Sequence, residues 1–172
     1  MTTIATEFTR IKAFLFDVDG VLSADFSPLD ETGEPMRTGN VKDGFAIRLA
    51  ISSGFTVGVI TGAHQERVKL RCRHLGIRLY YENVADKSAC LDHFIAETGI
   101  PAENILYMGD DLPDHPVMKR VGLATCPADA VPEIKSISAY VSDRKGGRGC
   151  VRDVIGKVLN SQDKWLAFND NQ

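Results

Sequence analysis

The chain has 172 residues, enough for one domain with its own hydrophobic core. Its 44% apolar and 25% charged content excludes a disordered or fibrous class, and 20 basic against 23 acidic residues, a formal charge of −3, leave no footprint for nucleic acid or an anionic membrane. No apolar run approaches the roughly 20 residues of a membrane span, and MTTIATEFTR lacks an apolar signal core, so the chain reads as cytoplasmic.

The first strand is IKAFLFD, residues 11–17, short, apolar and ended by Asp-x-Asp-Gly. Residues 20–42 then break the rhythm. Pro28, Gly33 and Pro35 make their middle turn-rich between strand-like ends, which predicts a β-hairpin projecting from the sheet edge. Helical patterns at 43–53, 64–75, 86–99, 112–120, 131–136 and 149–160 alternate with strands at 55–62, 77–81, 105–111, 121–126 and 139–143. Such alternation predicts an α/β fold, a Rossmann-like doubly wound and mainly parallel sheet covered on both faces. Residues 1–160 read as one domain and 161–172 as a polar tail carrying Trp165, Leu166 and Phe168. Cys72, Cys90, Cys126 and Cys150 form no CxxC pair and read as buried free thiols.

The residues that could carry chemistry fall at strand ends or helix starts, the edge where open α/β sheets bind ligands. Asp17 and Asp19 stand at i and i+2 and can aim two carboxylates at one place, with Gly20 permitting a sharp exit. One carboxylate could attack phosphorus while the other moves a proton, although Asp-Gly is also an ordinary turn sequence. Thr61 and Gly62 close the second strand, where a hydroxyl and free backbone N–H groups can hold a phosphoryl oxygen. Lys87 opens the helix at 86–99 and suits an anionic phosphate. Gly109-Asp110-Asp111 adds a second acidic pair, and the oxygen-rich set fits Mg²⁺. His64, His74, His93 and His115 lack transition-metal spacing and read as surface or packing residues.

The ordered set DxDG, TG, Lys, GDD resembles the haloacid dehalogenase superfamily of phosphotransferases. That resemblance implies Asp17 as nucleophile, Asp19 as general acid and base, and Thr61, Gly62 and Lys87 as the phosphate cradle. It implies Mg²⁺ held by the carboxylates of Asp17 and Asp110 and the backbone carbonyl of Asp19, with Asp111 supporting the metal's water shell. FDVDGVLS, VKDGFAIRLA, GVITG, LRCRHLGI, YMGDDLPDHPVM and GGRGCVRDV narrow the likeness to the 3-deoxy-D-manno-octulosonate 8-phosphate (KDO 8-phosphate) phosphatases. The likeness runs from about Ile11 to about Leu159. It implies a HAD-like fold, a small sugar-acid phosphate as substrate, lipopolysaccharide precursor synthesis as context and a homotetramer.

Too few residues separate the motifs for a cap domain, so a neighbouring subunit is the expected lid. The family often carries a charged residue after Thr-Gly where this chain has Ala63. Arg148, in the GGRG run, is therefore the expected partner of the sugar carboxylate. The nearest alternative is a phosphatase of nine-carbon keto-deoxy sugar 9-phosphates. A non-catalytic receiver-like domain also gathers acids, a Thr and a Lys, but has no use for Asp19.

Overall fold

The computed structural model describes residues 4–166. Six parallel strands form one sheet: β1 (Ala13–Phe16), β2 (Thr56–Ile60), β3 (Leu79–Tyr81), β4 (Ile105–Met108), β5 (Leu123–Cys126) and β6 (Tyr140–Val141). Their spatial order is β3-β2-β1-β4-β5-β6. The chain winds outward from β1 to β3, returns to β4 and winds the other way. The switch lies between β1 and β4, which pair in register from Ala13 with Ile105 to Phe16 with Met108.

Side-chain alternation divides the core. Phe14, Phe16, Leu106 and Met108 face a layer built by α1 (Ile4–Thr9), α2 (Val41–Ser52), α3 (Glu66–His74) and α7 (Cys150–Ser161). Ala13, Leu15, Ile105 and Tyr107 face the other layer, from α4 (Lys87–Thr98), α5 (His115–Met118) and α6 (Pro132–Ile137). Every residue of β1 and β4 is buried, which is why both strands read as continuous apolar runs.

The fourth strand stops at Met108, so Gly109, Asp110 and Asp111 belong to the turn after it. The predicted 112–120 helix is a 3-10 turn, Leu112–Asp114, followed by the single turn α5. Pro113 and the Asp111 side chain, which accepts from Leu112 N–H, make a capped start there. The predicted strand at 139–143 shrinks to two residues at the sheet edge. Helix α1 had no counterpart in the sequence reading; its single turn buries Phe8.

The segment predicted as a hairpin does turn back on itself, but as an arm with one antiparallel bridge, Leu29 to Pro35. Asp30 N–H donates to Glu34 O and Met36 N–H to Pro28 O, both at 2.8 Å. Prolines at both flanks remove ladder donors, so strands do not propagate. Beyond α7, Trp165 folds back on its own domain while Leu166 is exposed. Trp165 lies against Gly156 and under the Arg152 guanidinium, 4.9 Å from the ring centre. Phe168 lies outside the described residues.

Two segments that carry the family likeness meet in space. Asn40 caps α2 by accepting from Lys42 and Asp43 N–H, and donates to Gly147 O at 3.3 Å. Asp43 of VKDG, 2% exposed, accepts from Arg152 N–H at 2.8 Å in the first turn of α7. The α7 N-terminus is thus capped by a side chain from α2, since its own N-cap is Gly149. Cys72, Cys126 and Cys150 are buried free thiols, and Cys90 is half-buried.

Candidate active site

One cleft of about 550 Å³ at the carboxyl edge of the sheet is lined by Asp17, Asp19, Thr61, Gly62, Lys87, Asp110 and Asp111. Asp17 follows β1, Thr61 follows β2 and Asp110 follows β4, three adjacent strands. Parallel strands end at the same edge, so residues far apart in sequence converge on the switch point. Lys87 enters as the first residue of α4. The Asp86 carboxylate caps that helix by accepting from Ser88 and Ala89 N–H, and the Lys87 side chain turns inward.

The centre is a buried charge cluster. Lys87 Nζ lies 2.9 Å from Asp17 Oδ2 and 2.7 Å from Asp114 Oδ1. Asp114, fully buried, also accepts from the Tyr107 hydroxyl at 2.7 Å and from Asp110 N–H at 3.0 Å. Sequence reasoning missed Asp114. The available signal was its place four residues after Asp110, at the start of the helical pattern that follows. Thr61, 2% exposed, is held by main-chain bonds: its N–H donates to Tyr81 O and its carbonyl accepts from Val84 N–H.

A second missed residue is Arg37 of the arm. It clamps Asp19 through Nε to Oδ1 at 2.8 Å and Nη2 to Oδ2 at 3.1 Å. A lone cation in a turn-rich segment carries no sequence signal for that contact. Arg148 takes another position. It lines a separate cavity of about 470 Å³ with Lys42, Arg144, Arg152 and Trp165, outside the catalytic cleft of this chain. The first two GGRG glycines, Gly146 and Gly147, meet the chain's own backbone. Gly146 lies against the Gly20 carbonyl, and Gly147 N–H donates to Val21 O at 2.7 Å. They form a floor under the Asp17–Gly20 turn. Gly20 itself has φ +77°, and any Cβ there would collide with the Asp110 carboxylate. Only glycine lets the two acidic turns approach so closely.

The cluster fits a hard divalent cation. Carboxylate oxygens of Asp17, Asp110 and Asp114 lie within 4.8 Å of one another. Those of Asp114 accept from Lys87, Tyr107 and Asp110 N–H, and Asp17 and Asp110 are the carboxylates that would hold such an ion. Burial, then repulsion from Asp114, pushes Asp17 well above the usual carboxylate range against the pull of Lys87. Burial, Asp114 and Asp111 push Asp110 up to about 7. Three carboxylates around one ammonium leave excess negative charge, which a cation would relieve.

This sets a pH dependence. With its folded value above 3.8, the Asp110 carboxyl in metal-free protein is neutral below about 7 and ionised above it. The stability it contributes is therefore full at low pH and is lost as pH rises from about 4 to about 7. A neutral carboxyl is a poor ligand, so Mg²⁺ affinity should climb between about pH 5.5 and about pH 7, then level off. Calorimetry near pH 6 should show proton release on ion binding, with Asp110 alone accounting for about one proton per ion. A flat affinity from about pH 5.5 to about pH 8 would refute Asp110 as a ligand.

The chain resembles known proteins over most of its length. The haloacid dehalogenase-like hydrolase family model matches residues 77–154. A 3-deoxy-D-manno-octulosonate 8-phosphate phosphatase from Salmonella typhi is 39% identical over 163 residues, 95% of this chain and 87% of that protein. The crystal structure of the phosphatase of that name from Yersinia pestis superposes with a TM-score of 0.90 at 37% identity, covering 94% of this chain and 88% of that one. Another, from Moraxella catarrhalis in complex with magnesium, phosphate and KDO, superposes with a TM-score of 0.91 at 29% identity, over 97% and 96% of the two chains. With identity and fold shared across nearly the whole length, this chain belongs to the 3-deoxy-D-manno-octulosonate 8-phosphate phosphatase family of haloacid dehalogenase-like hydrolases.

Proposed function

We propose that the protein is a Mg²⁺-dependent phosphatase that hydrolyses KDO 8-phosphate to KDO and phosphate, a step in lipopolysaccharide precursor synthesis. The observation that carries this is the gathering of seven motif residues in one cleft of a chain 39% identical to a phosphatase of that name. The Moraxella catarrhalis relative holds magnesium, phosphate and KDO together, which supports both metal and sugar acid.

In this reading an Asp17 carboxylate oxygen attacks phosphorus in line. The bond from phosphorus to the sugar oxygen breaks, and Asp19 gives its proton to the departing alkoxide. A water molecule then loses a proton to Asp19 and attacks phosphorus. The aspartyl-phosphate bond breaks, freeing phosphate and restoring Asp17. Lys87, the Thr61 hydroxyl and the backbone at Gly62 hold the other phosphoryl oxygens. Asp17, Asp110 and the Asp19 carbonyl would hold Mg²⁺, whose charge would offset repulsion between an anionic nucleophile and an anionic substrate. Asp111 would support its water shell.

A phosphate-release screen over sugar phosphates tests the substrate. KDO 8-phosphate should give the highest kcat/KM. A higher value on a nine-carbon keto-deoxy sugar 9-phosphate would move the protein to the neighbouring specificity, which Ala63 in the cleft wall leaves room for. One-time phosphorylation without turnover would instead indicate a receiver-like domain.

Among the described residues no helix is long and apolar enough to cross a membrane, and a cytoplasmic enzyme is the reading we adopt. The assembly we propose is a homotetramer joined through the arm. Phe26 is 89% exposed and Leu29 64%, and Met36 and Val41 are exposed beside them, an apolar stretch that a partner would cover. Since Arg148 lies outside its own chain's cleft, its part in binding the sugar carboxylate rests on a neighbour presenting it. Light scattering should give about four times the mass of the 18.8 kDa chain. Arg148→Ala should lower kcat/KM on the sugar-acid phosphate and spare a small aryl phosphate. A fully active monomer, or equal losses on both substrates, would overturn this part of the proposal.

A further inference from the structure

The arm at residues 21–40 does more than expose apolar side chains: it delivers a cation to the catalytic turn. Arg37 is almost fully enclosed, with its side chain 8% exposed, whereas the Asp19 side chain it grips is 47% exposed. Arg37 therefore approaches Asp19 from the protein side, and the carboxylate keeps one flank open to the cleft. The grip is bidentate, so it fixes the plane of the carboxylate as well as its position. No other hydrogen bond orients that carboxylate among the described residues. Each of its oxygens retains a lone pair for a second partner.

The root of the arm is built to hold Arg37 still. The next residue, Thr38, is tied across the root of the arm to Ser23 and Ala24, just after the catalytic turn, by three hydrogen bonds. Its N–H donates to Ser23 Oγ at 2.9 Å, its hydroxyl accepts from Ala24 N–H at 3.1 Å, and the two hydroxyls lie 3.3 Å apart. Ser23, 1% exposed, is itself bridged to Asp19. Arg37 Nη1 donates to Pro35 O at 2.8 Å, which closes the turn around the guanidinium. A part-exposed ion pair is worth little as stability. An enclosed fork on an anchored backbone is instead suited to orienting a group that must move a proton along a defined line.

We propose that Arg37 is the positioning residue of the proton shuttle Asp19, which makes the arm part of the catalytic apparatus. The inference rests on the reading of Asp19 as general acid and base.

The test compares two substrates. KDO 8-phosphate expels the sugar as an alkoxide, which needs a proton, whereas 4-nitrophenyl phosphate expels a weakly basic phenolate, which needs little help. Arg37→Gln should lower kcat/KM on the sugar phosphate by about 10²-fold, within the span of general acid–base effects. The loss on the aryl phosphate should be at least about tenfold smaller. With the aryl substrate the variant should show a burst of nitrophenol, because hydrolysis of the aspartyl-phosphate also needs Asp19. Arg37→Lys keeps the charge without the fork and should fall between. In an Asp19→Asn background, Arg37→Gln should cost nothing further.

Equal losses on both substrates, full additivity with Asp19→Asn, or no loss at all would overturn the proposal. If Arg37→Gln does not fold, Arg37→Lys decides by the same comparison. Should Asp19→Asn itself retain full turnover of KDO 8-phosphate, the underlying reading of Asp19 fails instead, and the two failures are told apart by that variant.

Discussion

Asp17→Asn should lower kcat on the order of 10⁴-fold or more while the protein stays folded. The amide has no anionic oxygen to attack phosphorus, and it is a far weaker metal ligand. Its shape is conserved, and its oxygen can still accept from Val18 N–H, a bond of 2.7 Å in the wild type. Burial and the nearby Asp114 both disfavour a charge at Asp17. A neutral isostere relieves that repulsion, so metal-free Asp17→Asn should melt no lower than wild type, even with the Lys87 contact weakened. Such a gain in fold at the expense of chemistry is what a strained functional site predicts. Phosphate release and a thermal melt check the two halves. Mass spectrometry of quenched wild type should show one phosphoryl group on the peptide holding Asp17, absent from the variant. Multiple turnovers near the wild-type rate from a verified Asp17→Asn sample would end the covalent mechanism.

Asp114→Ala should damage both stability and activity. The side chain holds Lys87, the Tyr107 hydroxyl and Asp110 N–H at once. Removing it strands a buried phenol and a backbone donor, and leaves Lys87 with Asp17 alone. Breaking a buried ion pair from one side costs about 3 kcal/mol or more. In a domain of this size that is a fall in Tm of about 6–12 °C. Lys87 and Asp110 also lose their orientation, so kcat should drop about 10²-fold even below the new Tm. Asp114→Asn keeps part of the hydrogen bonding and should lose less of both. If Asp114→Ala melts within about 2 °C of wild type, Asp114 is not the keystone of the cluster.

The strand-level pattern of the fold was open to reading because β1 and β4 are buried on both faces. A strand with two covered faces must be apolar throughout, and its end is then marked by the first acidic residues, Asp17 and Asp110. Parallel pairing does the rest: once β1, β2 and β4 are strands in one sheet, their carboxyl ends coincide, and Asp17, Thr61 and Asp110 must converge. Short elements were less legible. A single turn such as α1 has too few residues to show a period, and β6 draws its two residues of pairing from β5 rather than from its own sequence. The arm has strand-like composition at its ends, but Pro28 and Pro35 limit it to one bridge.

By itself, the sequence determined which residue types could do phosphoryl chemistry and along which strand ends they stood, because strand periodicity and chain order are local properties. Only the tertiary structure decided which partners hold them. Asp114 acquires its role from Lys87, which lies 27 positions earlier, and from the buried Tyr107 hydroxyl. Arg37 acquires its role because the anchored root of the arm folds over the catalytic turn. Arg148 of the GGRG run was expected to meet the sugar carboxylate, yet the backbone that approaches Gly146 and Gly147 belongs to Gly20, Ser23 and Ala24, and Arg148 lines a different cavity. Close approach is a property of two segments together. A glycine in a sequence shows that something comes near, and the fold alone shows what.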